Sequence, residues 1–96
     1  MALGNDTYAL GGSSVAAGNA AWALGERSTA IGNNAHSEGY GSIAMGRESW
    51  AKGDNNISIG HEAETNSTGD SIAMGHNSKA NQANAVAVGP QAEANG

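Results

Sequence analysis

The fourteen residues GYGSIAMGRESWAK, positions 39–52, contain one complete copy of the pattern that decides the fold of this chain. Gly39 and Gly46 open its two halves, and each half has a glycine, two variable residues, and then alternating small and variable residues. The small places of the first half are Ser42 and Ala44. Alternation with a period of two over four residues, after a glycine, predicts a short β-strand that follows a turn.

The leading glycine recurs every seven residues along the chain. Nine in succession stand at positions 4, 11, 18, 25, 32, 39, 46, 53 and 60, and the spacing resumes at 75, 89 and 96. Gln82 is in step with Gly75, and Thr68 is in step if one residue, which we assign to Ser67, is inserted at a corner before it. A glycine in every heptad costs about 1 kcal/mol each in a helix, which excludes a coiled coil. We expect these glycines to supply positive φ at the turns.

Comparison of alternate half-units shows that the full period is 14 residues. One half-unit has mostly apolar variable places, and the other has aromatic, polar or charged ones. Two strands per coil predict an all-β, flattened parallel β-solenoid of about seven 14-residue coils, with small residues inside. A continuous apolar outer strip is unfavourable in water, so we expect it to be an interface between copies of the chain. Its residues are Val15, Ile31, Ile43, Met45, Ile57, Ile59, Ile72, Met74, Val86 and Val88.

Composition agrees with a thin, repetitive interior. Hydrophobic residues make up 39% of the 96, but 19 of them are alanine and phenylalanine is absent. Four scattered basic residues and a net charge of −5 argue against nucleic-acid binding. No apolar stretch approaches the roughly 20 residues of a membrane span, so we expect no direct membrane insertion by this segment.

Enzyme and cofactor signatures are missing from the sequence. There is no phosphate-binding loop and no nucleophile elbow, and the absence of cysteine excludes thiol chemistry. His61 and His76 are expected to stack at one corner, but their column continues with Arg47 and Pro90 and offers no third ligand. The sequence therefore predicts no enzyme activity, no cofactor and no metal site.

A second column of variable residues combines four rings. The spacing places Tyr8, Trp22, His36 and Trp50 on successive coils, where they form a candidate surface for a glycan or an extended peptide. The alternative is a stacked ladder that stiffens the sheet, or a surface covered by upstream sequence. Opposite charges also neighbour each other across coils: the column continues with Glu64, Lys79 and Glu93, and Glu38 precedes Lys52 in the adjacent one.

Five registered stretches carry a resemblance to a known family: RSTAIGNNA (27–35), GSIAMGRES (41–49), NNISIGHEA (55–63), DSIAMGHNS (70–78) and NAVAVGPQA (84–92). They resemble the NSVAIGxxS repeats in the head domains of YadA-like trimeric autotransporter adhesins. The resemblance extends from about Gly4 to Gly96 and implies a left-handed parallel β-roll that assembles as a homotrimer on a bacterial surface. It makes residues 1–96 a single repeat domain, a head segment without the family's stalk or membrane anchor.

The resemblance also implies a function. We expect a virulence-related adhesin head that binds a host matrix protein, collagen-like or similar, or a cell-surface ligand. The parent protein would be tethered to the outer membrane by parts outside this sequence. The main alternative is a structural trimeric spacer rod in a longer surface or phage fibre. An ice-binding solenoid would need a flat threonine array, which Thr7, Thr29, Thr65 and Thr68 do not supply.

Overall fold

The structure is a computed structural model that describes residues 2–66 and 69–94. This part of the chain forms fourteen strands of two or three residues. They are β1 Ala2–Leu3, β2 Tyr8–Ala9, β3 Val15–Ala17, β4 Trp22–Ala23, β5 Thr29–Ile31, β6 His36–Ser37, β7 Ile43–Met45, β8 Trp50–Ala51, β9 Ile57–Ile59, β10 Glu64–Thr65, β11 Ile72–Met74, β12 Lys79–Ala80, β13 Val86–Val88 and β14 Glu93–Ala94.

The chain alternates between two parallel sheets. Odd-numbered strands form one sheet in the order β1 to β13, and even-numbered strands form the other in the order β14 to β2. Ile43 pairs with Ile57, and Trp50 with Glu64, so each coil lies directly over the one before. The architecture is an all-β parallel solenoid with a repeat of about 14 residues, as the sequence predicted. The seven strands that each sheet has in the described residues are separated by about six turns, compared with the roughly seven coils expected.

The register locates the single break in the repeat. Trp50 pairs with Glu64 at an offset of 14 residues, whereas Thr65 pairs with Ala80 at an offset of 15. Asp54 bridges to Gly69, also 15 residues on. One extra residue therefore falls between Thr65 and Gly69. Ser67 and Thr68, on which the predicted corner insertion rests, lie outside the described residues.

The interior is built from small side chains, as predicted. The central residue of every odd strand from β3 to β13 is a buried alanine or serine, and the largest fully buried side chains are Asn56 and Thr65. Buried hydroxyls are paired: Ser37 and Ser42 lie 2.6 Å apart, and Ser42 Oγ donates to the Gly39 carbonyl at 2.7 Å. Because these polar groups keep hydrogen bonds after burial, they do not carry the cost of an unsatisfied donor.

The turn backbone departs from the sequence expectation. At the corners after the apolar strands the glycines do have positive φ, for example +121° at Gly46. At the opposite corners Gly11, Gly25 and Gly39 do not, and they are required for space: a Cβ on Gly25 would lie 2.1 Å from the Gly39 carbonyl oxygen. Both kinds of corner have a residue in the left-handed conformation, two places after the glycine. Twelve of these residues are not glycine: Asp6, Ser13, Ala20, Arg27, Asn34, Glu48, Asn55, Glu62, Asp70, Asn77, Asn84 and Gln91.

Candidate functional site

An apolar wall covers the outer face of the odd-numbered sheet. We define it as Val15, Ile31, Ile43, Met45, Ile57, Ile59, Ile72, Met74, Val86 and Val88, the larger apolar residues among those that flank the buried centres of strands β3 to β13. The register places Ile43 beside Ile57 and Met45 beside Ile59. Val86 and Val88 are 58% and 64% exposed in the single chain. The ten residues selected from the sequence thus share one outer face, and a monomer leaves much of it in contact with water.

An aromatic column runs along the even-numbered sheet on the other side. We use this name for Tyr8, Trp22, His36 and Trp50. The ring centroids of Tyr8 and Trp22 are 5.2 Å apart with a tilt of 41°, and those of Trp22 and His36 are 5.0 Å apart at 19°. His36 and Trp50 follow at 5.3 Å and 20°. The structure therefore brings the four predicted residues together as a stacked ladder. Trp22 and His36 each have a ring on either side, which leaves mainly their edges for a ligand.

The column continues with charged groups. Lys52 Nζ lies 4.5 Å from the ring centroid of Trp50, within cation–π range. One coil further, Lys79 Nζ lies 3.2 Å from Glu64 Oε1, which is one of the expected cross-coil ion pairs. Lys52 and Glu38 make no such pair in the described part of the chain. Lys52 instead lies over the Trp50 indole, an aromatic face that suits both its apolar stem and its charged ammonium group.

His36 has an unusual environment for a titratable group. Burial in the stack lowers the pKa of its imidazole from the usual 6.5, and the nearby Glu38 carboxylate opposes this with a smaller raising effect. The neutral ring is therefore favoured between the two indoles. The Nε1 of Trp22 is buried and has no hydrogen-bond partner among residues 2–66 and 69–94.

A groove that was not predicted from the sequence lies beside the aromatic column. Its volume is about 600 Å³, within the range of ligand sites. One wall comes from the strand column His36, Trp50, Glu64 and Lys79, and the other from the turn column Asn34, Glu48, Glu62 and Asn77. Both walls follow the same coil spacing. The second wall could have been found by aligning the residues two places after each glycine.

His61 and His76 stack at a neighbouring corner, as expected from their spacing. Their ring centroids are 4.9 Å apart and their planes differ by 5°. Together with Glu62 they offer three ligand atoms that all lie within 4.8 Å of one another. The histidine column of the sequence contains no third ligand, because Glu62 belongs to the adjacent turn column.

These features define a class of protein: a parallel β-solenoid repeat protein with the apolar wall on one sheet and, on the other, the aromatic column continued by charged residues. No helix in the described residues is long and apolar enough to cross a membrane. Comparison with protein families finds the YadA head domain repeat (2 copies) at residues 1–19, 9–35, 37–63 and 69–96. The chain therefore belongs to the YadA head family, as the sequence resemblance indicated. This is a family of adhesin domains from surface-exposed autotransporters, not of enzymes. A search of curated proteins found no match.

Proposed function

We propose that this chain is a head segment of a trimeric autotransporter adhesin that binds host extracellular matrix or cells through its outer surface. The family match over most of the chain is the observation that carries the proposal. On this proposal the coils wind left-handedly, as in the family. The head is exposed at the bacterial surface, where it contributes to virulence, and parts of the parent protein outside this sequence tether it to the outer membrane.

The apolar wall is the proposed trimer interface. Full burial of a Val, Ile or Met side chain contributes roughly 1.5–3 kcal/mol, so ten of them could stabilise an assembly far more than an alanine interior stabilises one chain. The threefold symmetry itself comes from the family. The interior supports this assignment because, in the part of the chain that the structure describes, its buried side chains are alanine and serine apart from Asn56 and Thr65.

The proposed ligand surface is the aromatic column, Tyr8, Trp22, His36 and Trp50, together with the edge of the adjacent groove. Repeated coils present similar groups side by side, and three chains on a cell surface multiply weak contacts through effective concentration. Tryptophan and tyrosine are also favoured as anchors at interfaces. A collagen-like matrix protein or a cell-surface glycan, both extended ligands, would suit a surface that is long and lacks a deep pocket.

The test replaces the two indoles. We expect Trp22→Ala combined with Trp50→Ala to weaken attachment of the assembled head to immobilised collagen or fibronectin at least tenfold, with unchanged molecular mass. Tyr40→Ala is the matched control, because Tyr40 is a 44% exposed aromatic residue outside the column. If the alanine variant does not fold, Trp22→His combined with Trp50→His takes its place. It keeps stacked rings but removes both indoles, and we expect it to weaken attachment as well. Equal attachment of the folded variants and the parent would place the ligand elsewhere.

A structural spacer rod is the second candidate, and one observation favours it. Stacking within the aromatic column uses the ring faces that a glycan would otherwise contact. On this alternative the ladder stiffens the sheet, and binding belongs to another part of the parent protein. A parent head that attaches to no matrix component, while remaining folded and assembled, would favour the rod.

A further inference from the structure

We propose that His61, Glu62 and His76 form a binding site for a divalent transition-metal ion of the zinc type, which would clamp two consecutive coils together. The three side chains offer two imidazole nitrogens and one carboxylate oxygen within 4.8 Å of one another. Imidazole nitrogen and carboxylate oxygen are both regular zinc ligands. Three protein ligands leave one tetrahedral position for water, as in other zinc sites with an open position.

Binding requires the side chains to rotate, because the lone pair of an imidazole lies in its ring plane and the planes of His61 and His76 are nearly parallel, 5° apart. Ligands bound tetrahedrally at about 2.0–2.2 Å lie roughly 3.4 Å apart, so the ligand atoms must also close by about 1 Å or slightly more. His61 and Glu62 are half-buried and His76 is exposed, which leaves room for rotation about their side-chain bonds. The Glu62 carboxylate already lies close to one ring: its Oε2 is 3.9 Å from His61 Nε2.

Neighbouring charges act on the site in opposite directions. Glu48 Oε1 also lies 3.9 Å from His61 Nε2 and adds negative charge that favours a cation. Arg47 Nε donates a hydrogen bond to His61 Nε2 at 3.3 Å and would compete with an ion for that nitrogen. Arg47 is exposed, and its side chain can turn away when an ion binds at that nitrogen. Its charge weakens the site without removing any of the three ligands.

The first test is a calorimetric titration of the untagged full chain with zinc chloride at pH 7.5, in a buffer that does not bind metal. We expect saturable binding of one ion per chain. His61→Gln and His76→Gln should each weaken it at least tenfold, and Glu62→Gln should weaken it to a smaller extent. Glu26→Gln, which changes a glutamate outside the cluster, should stay within twofold of the parent. Arg47→Gln should bind as tightly as the parent or tighter.

The second test uses stability, because His61 and His76 lie on consecutive coils. A ligand that binds only the folded state raises the unfolding temperature. We expect zinc to raise the melting temperature of the parent, EDTA to reverse the rise, and His76→Gln to abolish it. The absence of saturable binding, histidine variants that both bind zinc as tightly as the parent, or lost binding in Arg47→Gln would overturn the proposal.

Discussion

At the scale of single residues, the corner glycines all allow adjacent coils to approach closely, but only one set also needs glycine for its backbone. A Cβ on Gly46, after an apolar strand, would lie 2.6 Å from the Gly60 carbonyl oxygen, and Gly46 also has φ +121°, whereas Gly25 and Gly39 need glycine for space alone. The sequence spacing located both sets but could not distinguish them, since they differ only in backbone φ. It also gave no sign that residues as different as Ala20, Arg27 and Glu48 would share a left-handed conformation.

The neighbours Gly11 and Gly12 test the requirement for close approach between coils. A Cβ on Gly11 would lie 2.0 Å from the Gly25 carbonyl oxygen, whereas a Cβ on Gly12 would meet only the flexible Glu26 side chain at 3.4 Å. We expect Gly11→Ala to lower the free energy of unfolding by about 2 kcal/mol or more. Gly12→Ala should be neutral or stabilise by about 0.4–1 kcal/mol. Urea unfolding of both variants is the measurement, and similar losses in the two would contradict the explanation.

His36 gives a prediction of pH dependence. Because burial lowers the pKa of its imidazole in the folded chain, the unfolded chain binds more protons at mildly acidic pH. The stability that neutral His36 contributes is complete above about pH 6.5 and is lost as the pH falls through that value towards the folded pKa. His36→Tyr, a ring that the column already contains, removes this titration. We expect the urea midpoint to fall more between pH 7.5 and 5.0 in the parent than in this variant. Midpoints that fall equally in the two proteins would contradict the role of His36.

At the scale of elements, the strands follow directly from the alternation in the sequence. The two-residue period fixed which side chains face inward, because a shift of one residue would expose the small ones and bury the large ones. The groove and the proximity of Glu62 to the two stacked histidines could not be predicted, because they combine residues of neighbouring columns that only the turn conformation brings together. The stacking of the four rings was predictable from spacing, but the position of Lys52 over Trp50 was not.

Strand β3 allows a direct test of the inward and outward faces. Ala16 is fully buried between the sheets, whereas the adjacent Ala17 occupies the outer place that Ile31 and Met45 hold on later strands. We expect Ala16→Val to destabilise the fold by about 1–3 kcal/mol through overpacking. Ala17→Val should leave stability unchanged or raise it. The check is chemical denaturation of the two variants, and a larger loss in Ala17→Val would reverse our assignment of the faces.

Taken as a whole, the fold consists of two thin sheets whose interior is mostly alanine and serine, with the larger apolar side chains outside. Such a chain buries little apolar surface by itself, which is why the proposed assembly matters for stability as well as for adhesion. Repeat proteins gain stability from each neighbouring unit, and in the proposed assembly the apolar wall would add a second set of contacts between chains.

The most direct test of this account is the molecular mass of the folded chain in solution, measured by sedimentation equilibrium at micromolar concentration. We predict three times the chain mass of 9.5 kDa. Ile57→Asp with Ile59→Asp should dissociate or unfold the assembly, because burial of unpaired charge is costly. Leu10→Asp, at a 71% exposed position outside the wall, is the control and should keep the parent mass. A stable folded monomer, or an aspartate double variant with unchanged mass and melting temperature, would contradict the assignment of the apolar wall as a trimer interface.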